Sequence, residues 1–162
     1  MNLSLLVGAA IAAGILLTIV MAPAFAANLR DATLKLTVAL PNGINTVYAT
    51  PGIDTGITTA QGIQPGGIEF LLSAPALTTV QLPDAKTMTY GILMDTVDPI
   101  DGSSSVLYAA ILVQTGAGGA GAAAASVRFR LPSGAKRIIG FSAVNSGAGD
   151  ATAASATLEL LA

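Results

Sequence analysis

No cysteine, no histidine and no tryptophan occur among the 162 residues. Without cysteine there are no disulfides and no thiolate metal sites, which excludes a disulfide-stapled secreted scaffold. Without histidine, neither a Ser-His-Asp nor a Cys-His catalytic apparatus can be assembled, and no His-ligated zinc or iron site can form. Charge is scarce as well. Asp, Glu, Lys and Arg make up 10% of the chain, against about 25% in a typical soluble protein. Seven basic residues, a net charge of −2 and 4% aromatics cannot supply the basic stripe interleaved with aromatic rings that nucleic acid requires. No cofactor is called for, and no nucleic-acid partner is expected.

What the chain has instead is apolar and small. Hydrophobic residues reach 52%, and the first charged side chain is Arg30. The run Leu3 to Ala22, LSLLVGAAIAAGILLTIVMA, has roughly membrane-spanning length and predicts a hydrophobic helix. Three readings of it stand open. An Ala24-Phe25-Ala26 site fits a signal-like segment, although no Lys or Arg precedes the apolar stretch. Gly8 with Ala12, and Ala10 with Gly14, supply the small-xxx-small spacing of a helix packed against others, either as a membrane anchor or as an assembly helix among identical copies. The division expected is a helix over residues 1–28 and a separate domain over 29–162. A domain surface with few charges and many Ala, Gly, Ser and Thr residues is either inert or covered by neighbouring subunits, and the expectation taken from it is a homo-oligomer.

From Thr33 the pattern switches to alternation. Leu34, Leu36, Val38 and Leu40 alternate with Thr33, Lys35, Thr37 and Ala39, the signature of a half-buried strand. Further strand-like runs occupy Thr46 to Thr50, Gly67 to Ser73, Thr87 to Met94, Ser105 to Val113, Ala125 to Leu131, Arg137 to Val144 and Thr152 to Leu161. Each is bounded by turn residues. About eight regularly spaced strands with no competing helix predict an all-β domain, a β-sandwich or jelly roll. The last strand is expected to turn Thr152, Ala154 and Ala156 outward.

The stretch Ser126 to Asn145, SVRFRLPSGAKRIIGFSAVN, reads as an antiparallel hairpin about Pro132-Ser133-Gly134. Strand alternation puts Arg128 and Arg130 on one face, opposite Val127, Phe129 and Leu131. With Lys136 and Arg137 they form the candidate partner-contact patch.

Other motifs are weaker. Gly116, Gly118 and Gly121 spell G-x-G-x-x-G, but the βαβ context of a nucleotide fingerprint is missing, so a flexible or closely packed connection is the better reading. Ser133 and Lys136 spell S-x-x-K in a turn, without the companion motifs of a serine-lysine enzyme. Asp95, Asp98 and Asp101 could converge on a hard cation through carboxylate oxygens, although their spacing is not that of an EF-hand loop.

The segment from Ser73 onward, including APALTTVQLPDAKTMTYGI and VQTGAGGAGAAAASVRFRLPSGAKRIIGFSAVNSGAGDATAASATLEL, resembles the small jelly-roll cement or decoration proteins of tailed bacteriophages. The shared elements are a strand ending in Leu-Pro, a short polar turn, Lys-Arg opening the next strand, a Gly-rich turn and an Ala/Thr-rich closing strand. The upstream RDATLKLTVALPNGINTVYATPGIDTG fits the same opening, so the resemblance covers residues 29–162 and leaves the apolar N-terminus outside. It implies a non-enzymatic virion protein that binds over junctions of the major capsid protein, often as a trimer. A second class is the subunit of an extracellular or cell-surface filament whose apolar helices bundle in its core. A third is a ligand-binding sandwich that contacts a membrane through residues 3–22, which suffers from having no Trp for sugar stacking. Hydrolase activity comes last.

Overall fold

The computed structural model describes residues 35–56 and 68–161. The expected helix over Leu3 to Ala22, with Gly8, Ala10, Ala12 and Gly14, lies outside them. The described residues are all-β and contain no helix. Nine strands follow in chain order: β1 Lys35–Ala39, β2 Thr46–Tyr48, β3 Ile53–Asp54, β4 Glu69–Ala74, β5 Thr87–Asp95, β6 Ser105–Thr115, β7 Ala125–Arg130, β8 Ile138–Asn145 and β9 Ser155–Leu161.

They form two antiparallel sheets, consistent with a β-sandwich. Sheet one runs β1-β9-β4-β7, and sheet two runs β2-β8-β5-β6, with β3 also paired to β8. All eight expected strands occur, and the two-residue β3 is additional. Inward positions recur with the period of two that a pleated strand imposes. In β4 they are Phe70, Leu72 and Ala74, in β9 Ala156 and Leu158, and in β8 Ile139, Phe141 and Ala143, all buried. Phe70, Leu72, Tyr90, Ile139, Phe141 and Leu158 belong to one core, each contributing about 1.5–3 kcal/mol through burial.

The expected hairpin over Ser126 to Asn145 does not form. β7 pairs with β4 in sheet one, while β8 pairs with β5, β2 and β3 in sheet two. The two strands differ in kind. β7 alternates exposed and half-buried positions, as an edge strand does, whereas Ile138 to Phe141 of β8 are buried at every position and need cover on both faces. The connection therefore crosses the core. Leu131 donates its N–H to Ile68 O (3.1 Å), and a turn closed by Ala135 N–H to Pro132 O (3.2 Å) redirects the chain.

Thr152, Ala154 and Ala156 are likewise not the outward set. Ala154 N–H bonds Ala151 O (2.9 Å), so residues 151–154 are a turn and β9 begins three residues late. Ala156 is fully buried in line with Leu158. The outward set is Ser155, Thr157 and Glu159, opposite Ala39, Thr37 and Lys35 of β1.

The connection between β5 and β6 folds back onto the outward surface of sheet two. There Ile100, fully buried, joins Leu93 and Ile138 in a second small cluster separate from the main core. Thr50 Oγ1 donates to Ile100 O (3.0 Å), and Gly52 N–H donates to Asp98 Oδ1 (2.8 Å), which ties this strap down.

Candidate functional site

Arg128 and Arg130 lie together on the outward face of sheet one. Their cross-strand partners on β4 are Leu71 and Glu69, while Val127 and Phe129 turn toward the core. Arg130 comes no closer than 3.9 Å to Glu69, and its side chain is 72% exposed. Such a pair contributes at most about 1 kcal/mol. Among the described residues the Arg128 side chain has no hydrogen bond or ion pair.

Lys136 and Arg137 belong to different surroundings. Lys136 Nζ donates to Ser105 Oγ at the foot of β6 (2.6 Å). Arg137 grips Asp54 in bidentate fashion, Nε to Oδ1 at 2.8 Å and Nη2 to Oδ2 at 2.5 Å, and so staples β3 to β8. The Arg137 hydrogen bonds hold the Asp54 carboxyl below its ordinary range, and the same contact raises Arg137. The four basic residues are thus split. Two are exposed on sheet one, and two are engaged on sheet two.

Asp95 and Asp101 each serve their own stretch of backbone, while Asp98 reaches across to the β2–β3 connection. Asp95 Oδ1 accepts from Thr96 N–H (2.7 Å), Asp98 Oδ1 from Gly52 N–H (2.8 Å), and Asp101 Oδ1 from Ser103 N–H (2.8 Å) and Ser103 Oγ (2.6 Å). The turn hydrogen bonds keep Asp95 and Asp101 below the usual carboxylate range. Among the described residues no three metal-ligating side chains are grouped.

The glycine-rich connection is closely packed. Gly121 has φ +76°, and a Cβ there would run into the Leu77 carbonyl. Leu77 and Ala122 exchange backbone hydrogen bonds at 2.8 Å. The Asp84 carboxylate accepts from Gly119 N–H at 3.0 and 3.1 Å, so an acid of the chain itself occupies a loop amide that a phosphate cradle would leave open.

Two buried residues escaped the sequence reading. Tyr90 donates its hydroxyl to Gln114 Oε1 (2.8 Å), and Gln114 Nε2 donates to Pro75 O (2.8 Å) and Ala123 O (2.7 Å). Burial pushes the Tyr90 phenol well above its ordinary value. The one available signal was a large polar residue directly after the apolar run of β6. This network is saturated and faces no opening, so it holds the crossing from sheet two to sheet one rather than reacting.

The outward face of sheet one carries a row of small polar residues beside the larger row Lys35, Glu159, Leu71 and Arg128. Thr37, Thr157, Ser73 and Ser126 stand in one register row across β1, β9, β4 and β7. At its end a hollow of about 310 Å³ is lined by Ser73, Ala74, Ala124, Ala125 and Ser126, and its lining carries no titratable group. No protein-family model, no curated protein and no solved structure matches the chain.

Proposed function

We propose that this chain is a non-enzymatic structural subunit that decorates and stiffens a viral shell, folded as a jelly roll. The observation that carries the reading is the strand order. With β2 and β3 counted as one interrupted strand, eight strands in chain order lie 1-8-3-6 in one sheet and 2-7-4-5 in the other. Every connection except β5 to β6 passes between the sheets. That order supports the double Greek key of a jelly roll, an architecture that recurs in viral capsid proteins. Fold alone does not assign function, so the surface matters too. The broad outward face of sheet one offers hydroxyls, Ala39, Leu71 and two exposed arginines among Lys35, Glu69 and Glu159, a chemistry suited to lying against another protein. The resemblance of residues 29–162 to phage cement proteins points the same way.

The test is co-sedimentation of the full chain with intact shells from the native source. Saturable binding with a rise in the temperature at which the shells open supports the proposal. Chain left in the supernatant at every concentration refutes it.

A further inference from the structure

The two outward faces of the sandwich carry unlike charge at the same end of the domain. Arg128 and Arg130 stand at the end of β7 on the face of sheet one. The strap over the face of sheet two carries Asp98 and Asp101, both exposed. Chain connectivity sets both at one end. Shortly after Arg130 the chain reaches Lys136, whose ammonium bonds Ser105 at the foot of β6, next to the strap. Arg137 is paired with Asp54, and Lys136 keeps its charge while bonding Ser105 beside the strap; on sheet one Glu69 and Glu159 share the face with Lys35, Arg128 and Arg130, which leaves that face net positive. The faces point away from each other, so in one molecule these charges cannot meet. In two copies stacked front to back they can.

We propose that copies of this chain associate head to tail, with the Asp98–Asp101 strap of one docking on the Arg128–Arg130 strand of the next. The occupant is a second copy because both complementary surfaces are on this chain. Beside the arginines, the hydroxyl row Thr37, Thr157, Ser73 and Ser126 presents only short side chains to a facing molecule. A head-to-tail interface closes into a ring if its rotation permits and otherwise runs on as a fibre. The inference therefore does not depend on the shell reading. Charge pairs at such an interface set the association rate and its salt dependence more than the final affinity.

Light scattering of the full chain tests it at low and high ionic strength. The expected result is an oligomer at low salt that dissociates as salt rises, because the pairs lie within reach of screening. Arg128→Glu with Arg130→Glu should lose the oligomer at a protein concentration where the original chain is fully assembled, with its melting curve retained. Adding Asp98→Lys and Asp101→Lys to that variant should restore it. A chain that is monomeric at low salt, an oligomer that survives the arginine reversal, or a folded fourfold variant that stays dissociated overturns the inference. Should the fourfold variant fail to fold, the absence of cysteine provides a second readout. An Arg130→Cys chain mixed with a Ser103→Cys chain should form the mixed disulfide far faster than either chain alone forms its own, and equal rates overturn the inference. Shell binding is measured separately. A chain that decorates shells while monomeric in solution overturns this inference and leaves the shell reading standing.

Discussion

Ile100 fills the space that Gly140 leaves open: a Cβ built on Gly140 would stand 2.9 Å from Ile100 Cγ1 and 3.2 Å from Cγ2. The residue without a side chain sits in the middle of β8, a central strand, where glycine ordinarily weakens packing. Here it admits the strap that covers sheet two.

Gly140→Val should therefore push the strap off or strain it, lowering stability by about 1–3 kcal/mol as overpacking does. Ile100→Ala empties the same space and should cost about 2–5 kcal/mol. Urea midpoints check both. A Gly140→Val chain as stable as the original would mean that the strap contributes nothing.

Tyr90→Phe removes the only donor to Gln114 Oε1 among the described residues, in a fully buried setting. Leaving that oxygen unsatisfied should cost about 1–3 kcal/mol. Gln114→Leu in the same chain should add to the loss rather than recover it, because it takes the Nε2 donors away from the Pro75 and Ala123 carbonyls. Thermal melting of the single and double variants separates the two outcomes.

Acid should weaken the fold in a definite window. Asp54, Asp95, Asp101 and Asp150 are all held below the usual carboxylate range by hydrogen bonds in the folded chain. The unfolded chain binds more protons there, so the contribution is fully present above about pH 5 and lost as pH falls through the lowered folded values. These groups are largely exposed, which keeps each contribution small. Asp54→Asn should flatten the acid limb of the midpoint against pH without shifting the neutral plateau by more than about 1 kcal/mol. An unchanged acid limb would mean that the Arg137 clamp does not bias Asp54.

The strands were legible in the sequence because period-two alternation is local. Leu36 and Val38, or Phe70 and Leu72, announce their own side of the sheet. Pairing was not legible, because it is set by which strands need cover on both faces. Ile138 to Phe141 read as an apolar run after a tight turn, and only the crossing to sheet two shows why all four are buried. The arginines were legible as a pair on one face, but the separate fate of Lys136 and Arg137 depended on Ser105 and Asp54, 31 and 83 residues away in sequence. The Tyr90 to Gln114 bond spans the β5–β6 ladder and had no spacing by which to find it.

Electron microscopy of particles from the native source, with the full chain located by specific labelling, tests the central claim most directly. The account predicts icosahedral shells carrying the chain on their outer surface at repeated, symmetry-related positions. The chain found along the length of fibres, and absent from shells in the same material, would contradict it.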